Sequence, residues 1–204
     1  DLSRASVAPP AELYRTLGIP TGVPIASFVG SLVPGEDPLS FVRALADARR
    51  WVPKLTGLMI GEGPMREQLV AEATRLGVRD GLILAGSSEE AEAMLPVASV
   101  HVACGMDVVR TEPMLRAFAA GVPVEAIAAD LSNAAGVDAL VVDGESGLLA
   151  PPGNPSVLAN AMVHLLTDAT LRGHCVSGAR RRATDYLLDR ACARTQAIYR
   201  AVLG

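Results

Sequence analysis

The sequence predicts a doubly wound, Rossmann-like α/β domain: a parallel sheet of about six strands, an ordinary sheet size, with helices on both faces. Two observations lead there. Short runs that are apolar on both sides, such as 25-IASFV-29 and 55-LTGLMI-60, alternate with amphipathic helical stretches, and strands buried on both faces belong to covered parallel sheets. Each of the glycine-rich loops also falls where a strand ends, and in such folds ligands sit at the carboxyl ends of the strands.

The elements follow in order. Residues 1–22 read as an entry segment, with a helical turn at 11-AELYRTLG-18 stopped by Gly18. Ile25 to Val29 is the first strand. Pro38 sits in the first turn of a helix running to about Arg50. Leu55 to Ile60 is the second strand, followed by the loop 61-GEGP-64 and a helix to about Leu76 closed by Gly77. Leu82 to Ala85 is a strand, Glu89 to Leu95 a short helix, and Val100 to Ala103 a strand. Glu112 to Ala120 is a helix with Thr111 as N-cap and Gly121 as stop. Val122 to Ile127 is a strand, and 130-DLSNAAG-136 a capped turn or short helix. Leu140 to Val142 and Leu148 to Leu149 read as short strands flanking 143-DGESG-147. Beyond Pro155 the chain reads as helical, over 155–167, 169–185 and 188–203. The division expected is an entry segment 1–22, a domain 23–187 and a C-terminal helix 188–204.

Composition narrows the function classes. Half of the 204 residues are hydrophobic but only 3% are aromatic, so the core is built from Ala, Val, Leu and Ile. A net charge of −4 gives no support to nucleic-acid binding. Cys104, Cys175 and Cys192 lack metal-ligand spacing and read as reduced thiols of a cytoplasmic protein. His101, His164 and His174 are scattered, so neither a metal nor a cofactor is expected. No apolar run reaches membrane-spanning length, and the opening DLSRASVAPP has no signal-peptide core and reads as the middle of a polypeptide. Arg180, Arg181, Arg182, Arg190, Arg194 and Arg200 spread over the last helices, interleaved with Asp185 and Asp189. That is a solvated face; contact with a membrane surface is the weaker reading. No nucleophile sits at a strand-end elbow.

Three stretches carry the chemistry. The segment 27-SFVGSLVPGEDPLSFVRALADA-48 has the shape of a phosphate-binding turn, as does 61-GEGPMREQL-69, because backbone N–H groups at a helix start can hold an anion. The bland reading is that these glycines only make tight turns. The first loop has no cation and carries Glu36 and Asp37. In the third stretch, 105-GMDVVRTEPMLRAFAAGVPV-124, Arg110 and Arg116 fall near the positive end of a helix dipole. Arginine there calls for an anionic ligand or an acidic neighbour such as Glu112.

Together these stretches resemble, in order and over nearly the whole chain, the nucleotide-sugar-binding half of the retaining glycosyltransferases of family 4, which have the GT-B fold. FVGSLVPGEDP is similar to the family's FVGRL-x-x-x-KG loop, GEGPMREQL to its GDGP helix, 116-RAFAAGVPV-124 to EAMAAGxPV, and 143-DGESGLLAPPGNPSVLANAM-162 to DGxTGxLVPPGDPxxLAxAI. The resemblance implies an NDP-sugar donor, a hexose transferred, and a donor site formed by Gly30, Ser31, Glu36, Gly61, Gly63, Pro64, Ser87, Val108, Arg110, Thr111, Glu112 and Arg116. It also implies catalysis in a cleft against an acceptor domain that these residues do not contain. The chain is then inactive alone, either a fragment of a longer protein or one that pairs with another chain.

The departures matter equally. Where the family carries an arginine and a lysine against the donor diphosphate, this sequence has Ser31 and Glu36; where it carries two glutamates, Val108 and Arg116. Its Gly-Gly loop is replaced by 130-DLSNAAG-136, and Glu125 interrupts an apolar strand. Losing charge-assisted bonds weakens diphosphate binding. One reading is a rewired donor site with Arg110 and Arg116 replacing the lost cations. The alternative is a degenerate, non-catalytic relative acting as a structural or regulatory partner. A third class, a GT-B sugar-nucleotide epimerase, fits the motifs less well. Arg116 is expected to pair with Glu112 or, across the crevice, with Glu36.

Overall fold

The computed structural model describes residues 14–15, 18–87, 93–105, 111–127, 140–186, 196 and 199–200. Six strands form one sheet: β1 (Ile25–Val29), β2 (Thr56–Ile60), β3 (Leu82–Gly86), β4 (Val100–Ala103), β5 (Val124–Ile127) and β6 (Gly147–Ala150). Their order is β3-β2-β1-β4-β5-β6, and every pair is parallel. From β1 the chain winds outward through β2 and β3, then returns to the other side of β1 for β4, β5 and β6. The strand order therefore reverses between β1 and β4, and this is where doubly wound folds place their ligands.

Among the described residues five helices cover the sheet: α1 (Pro38–Ala48), α2 (Arg66–Arg75), α3 (Thr111–Ala120), α4 (Pro155–Thr167) and α5 (Ala169–Asp185). The core divides between the two faces. On one, α1, α2 and α4 bury Ala26, Phe28, Met59, Val100 and Val102 of the sheet. On the other, α3 and α5 bury Ile25, Leu58, Ile60, Val124 and Ala126. Gly57 is where α1 comes closest: a methyl group there would lie 2.6 Å from a Leu45 Cδ2 and 3.1 Å from Phe41. Phe41 also packs on Phe28, ring centroids 5.8 Å apart. Each fully buried side chain of this size contributes about 1.5–3 kcal/mol, so Phe28, Phe41 and Leu45 anchor this face with few aromatic residues available.

Three of these helix starts, those of α1, α4 and α5, are capped by side chains. Asp37 accepts from the Ser40 amide at 3.3 Å and from Ser40 Oγ at 2.6 Å, ahead of Pro38. Asn154 accepts from the Val157 amide at 3.3 Å, and Asp168 from the Thr170 and Leu171 amides at 2.9 Å. These are the oxygens that N-cap positions need. Ser156 Oγ donates to Asp47 Oδ2 at 2.8 Å, tying α4 to α1.

Both free edges of the sheet are occupied by side chains or turns. The Ile60 carbonyl bonds to the Gly30 amide of the β1 side, so by alternation Met59 and Gly57 face β3, and the carbonyls of Leu82 and Leu84 turn outward. Arg79 donates to the first at 2.8 Å and Arg66 to the second at 3.3 Å. At β6 the Leu149 amide donates to Asp143 Oδ1 at 2.9 Å, and the Gly147 carbonyl accepts from the Gly144 amide at 2.9 Å.

The expected strand at Leu140 to Val142 is absent. Ser146 Oγ accepts the Val142 amide, and the Val142 carbonyl accepts from the Glu145 and Ser146 amides, so a turn uses the groups a ladder would need. Near the expected helix Glu89 to Leu95 the structure has one 3-10 turn at Leu95–Val97; residues 88–92 lie outside the described residues, as do 130–136 and most of 188–203. No helix among the described residues is long and apolar enough to cross a membrane.

Candidate functional site

The loops that follow β1 and β2 are joined to each other. The Leu32 amide donates to the Glu62 carbonyl at 2.9 Å, and the Met65 amide donates to the Leu32 carbonyl at 3.0 Å. Gly61, at φ +148, approaches Gly30 so closely that a methyl group would fall 1.8 Å from the Gly30 oxygen, and one on Gly63 would fall 2.5 Å from the Leu32 oxygen. The bland reading of these two glycines therefore has a concrete basis: they let two backbones touch. The Gly61 amide also donates to the Gly86 carbonyl at 2.8 Å, which brings the end of β3 into the same floor.

Gly30, Ser31, Gly61, Gly63, Pro64 and Ser87 all lie at this carboxyl end of the sheet, with Pro64 and Ser87 exposed. Opposite them the end of β4 leads through Cys104 and Gly105. Thr111 is the first residue of α3, one position inside the helix, which corrects its expected place as N-cap. Thr111 and Glu112 are exposed. Arg116 Nη2 donates to Glu112 Oε1 at 2.8 Å, one helical turn back, with the arginine side chain 38% exposed. Val108 and Arg110 lie outside the described residues.

Glu36 is the feature that sets this site apart. It closes the 3-10 turn Pro34–Glu36, whose exit residue Asp37 has a left-handed backbone at φ 44. Glu36 is 6% exposed, and its Oε2 would be 3.1 Å from a methyl group on Gly30 and equally 3.1 Å from one on Gly105. The acid in the loop thus lies between the ends of β1 and β4. Burial pushes the neighbouring Cys104 thiol well up, and the charges of Asp37 and Glu36 add to it, so Cys104 is no nucleophile. No group of three or more His, Cys, Asp or Glu among the described residues is placed to hold a metal.

Gly105 and Asp37 were not among the donor-site residues expected from the sequence, where Asp37 stood only as an acid of the first loop and not as a helix cap. Gly105 follows an unremarkable strand and no spacing connects it to Glu36, 69 positions earlier by number; only the adjacency of β1 and β4 does. Asp37 could have been found from Pro38, because an acidic residue before a proline at a helix start is a cap signature.

A family model described as glycosyl transferases group 1 matches residues 23–168. Among curated proteins, the D-inositol 3-phosphate glycosyltransferase of Salinispora arenicola is 30% identical over 98% of this chain and 45% of its own length. The 2-deoxystreptamine glucosyltransferase of Streptomyces kanamyceticus is 26% identical over 100% of this chain and 53% of its own. The chain spans about half the length of these relatives. Among solved structures, HepE of Anabaena in complex with UDP superposes with a TM-score of 0.82 at 21% identity, covering 99% of this chain and 55% of that one. The C-terminal domain of LpcC from Francisella tularensis, a glycosyl transferase group 1 family protein, superposes at 0.71 with 20% identity, covering 89% of this chain and 96% of that one.

Proposed function

The chain belongs to the group 1 glycosyl transferases, and on that premise we propose that it is the donor half of such an enzyme. It binds a nucleotide sugar, and it transfers the hexose only when a second domain or chain supplies the acceptor. The observation that carries this reading is the crevice between β1 and β4. There the loop glycines, the start of α3 and Ser87 share one end of an all-parallel sheet. Backbone amides at a helix start suit the phosphates, and Ser31, Ser87, Thr111 and Glu112 offer hydroxyl and carboxylate groups to ribose or sugar. That HepE has been crystallised with UDP-glucose, at a TM-score of 0.81 over 99% of this chain, supports the choice of ligand class.

Titration of the folded chain with UDP, GDP and their hexose conjugates tests the proposal. Micromolar binding, with amide shifts mapping to Gly30–Ser31, Gly61–Pro64, Ser87 and the start of α3, is the expected result. Absence of binding by all of them would favour the alternative, a non-catalytic partner, for which the carboxylate of Glu36 in the crevice is the specific argument.

A further inference from the structure

The floor of the site continues past the crevice. Backbone bonds tie the loop after β1 to the loop after β2, and the Gly61 amide ties that loop to the Gly86 carbonyl at the end of β3. β1 and β3 are two strand spacings apart, about 10 Å, a span that a nucleoside diphosphate bridges from its phosphates to its base. A donor lying along this floor, with its phosphates on the backbone amides near Gly30 and Ser31, brings its base to the end of β3, beside the exposed Ser87. Two charged side chains stand at that end. Glu62 projects from the loop after β2, and its Oε1 would be 3.1 Å from a methyl group on Gly86. Among the described residues it is the one atom beyond the chain neighbours within 4 Å of that position, so the space over Gly86 is otherwise open. Arg66, the first residue of α2, donates from Nη2 to the Leu84 carbonyl at 3.3 Å.

Arg66 Nη1 and Glu62 Oε1 are 3.6 Å apart, with the two side chains 44% and 58% exposed. That separation makes an ion pair but is too long for a hydrogen bond. Among the described residues the Glu62 carboxylate accepts no hydrogen bond, and most of the Arg66 donors are free for a ligand. An acceptor and a donor thus stand side by side over the end of β3. We propose that Glu62 and Arg66 are specificity-determining residues that read the Watson–Crick edge of the donor's base, and that they select guanine. A carboxylate only accepts and a guanidinium only donates. Guanine presents N1–H and its N2 amino group side by side, so both go to the one carboxylate, and its O6 accepts from Arg66. Uracil gives N3–H to the carboxylate and O4 to the guanidinium, but it sets O2 against the second carboxylate oxygen. Edge contacts of this kind discriminate between bases. This rests on the reading of the crevice as a nucleotide-sugar site, and it deepens that reading by naming the nucleotide.

The test is a calorimetric series on the folded chain with GDP, inosine diphosphate and UDP. Inosine diphosphate differs from GDP only in lacking the N2 amino group. The series compares the parent with Glu62→Gln, which keeps the shape and loses one acceptor, with Glu62→Ala as a second variant should the amide disturb the loop, and with Arg66→Met. Circular dichroism confirms that each is folded. The parent is expected to bind GDP about tenfold or more tightly than either of the other two. Glu62→Gln or Glu62→Ala should bring GDP and inosine diphosphate to nearly equal affinity. Arg66→Met should weaken all three, because each has a ring oxygen for the guanidinium, and should leave the ratio of GDP to inosine diphosphate in place. A parent that binds the three alike or favours UDP would overturn the base reading while leaving the nucleotide-sugar reading intact. So would Glu62 variants that lose affinity for all three equally, which is what a purely structural role predicts. Failure of every nucleotide to bind parent and variants alike would overturn both.

Discussion

Ser27 Oγ lies 3.1 Å from His101 Nδ1 across the β1–β4 pair, where the two residues are register partners and both are buried. Burial holds the imidazole pKa down at about 4. The folded chain therefore keeps this histidine neutral at a pH where the unfolded chain, with an ordinary value of about 6.5, takes up a proton. The stability this contributes is complete above about pH 6.5 and is lost as pH falls toward 4, at roughly 1.4 kcal/mol per unit. Replacing the pair by His101→Leu with Ser27→Ala should flatten that acid limb. Urea midpoints at pH 7 and pH 5 check it; an equal loss in parent and double variant would show that His101 is not the group responsible.

Glu125 gives the opposite sign. It stands in the middle of β5, fully buried, and by alternation with Ile127 it faces the α1/α4 side. Both carboxyl oxygens lack a partner among the described residues, and burial raises its pKa well above the ordinary range. The contribution is complete below about pH 4.3 and is lost as pH rises, because the unfolded chain releases a proton that the folded chain retains. Glu125→Val restores an apolar strand of similar volume and should stabilise by on the order of 1–3 kcal/mol. Thermal melts at pH 5 and pH 8 should show the larger gain at pH 8; an equal gain at both would mean that the carboxyl is not being held neutral.

Two glycines of α5 should respond oppositely to alanine. Gly173 has nothing within 4 Å of an added methyl group, so Gly173→Ala should stabilise the helix by about 0.5–1 kcal/mol. A methyl group on Gly178 would fall 2.0 Å from the Glu145 carbonyl oxygen, in the turn on which the helix rests. Gly178→Ala should cost roughly 2 kcal/mol or more, in the range of overpacked contacts. Chemical denaturation of both variants measures the pair, and a stabilised Gly178→Ala would contradict the packing described.

Asp37 combines a left-handed backbone with a capping side chain. Asp37→Gly keeps the conformation and loses the cap, for a small net change. Asp37→Ala loses the cap and strains the backbone, for about 1–3 kcal/mol. The order of the two melting temperatures is the readout, and alanine at or above glycine would refute the account.

The fold was legible wherever local pattern and burial agree. The apolar runs at Ile25–Val29 and Thr56–Ile60 are strands because both faces are covered, and Pro38 and Pro155 begin helices as their fixed φ allows. The pattern misled at Leu140 to Val142, where apolar residues pack without a ladder because Ser146, four positions beyond the segment's last residue, takes the Val142 amide. At the site, the glycines were visible as letters, but what they allow was not. That Gly61 touches Gly30, that Gly105 borders Glu36, and that Ser27 meets His101 all follow from strand order. No single sequence states a strand order, since it is decided by which faces pair after the chain has wound back.

The occupied sheet edges have a consequence for how this molecule can meet others. A strand with open amides and carbonyls is a template on which a further strand can polymerise. Here Arg79 and Arg66 bond the outward carbonyls of β3, and Asp143 bonds the Leu149 amide of β6. Growth sideways is hindered at both edges, so a second copy or a companion domain is directed to the helical faces or to the ends of the strands. A chain that is half hydrophobic should accordingly remain monodisperse on concentration. Removing the guards by Arg66→Ala with Asp143→Ala should instead bring concentration-dependent light scattering before any loss of helical signal.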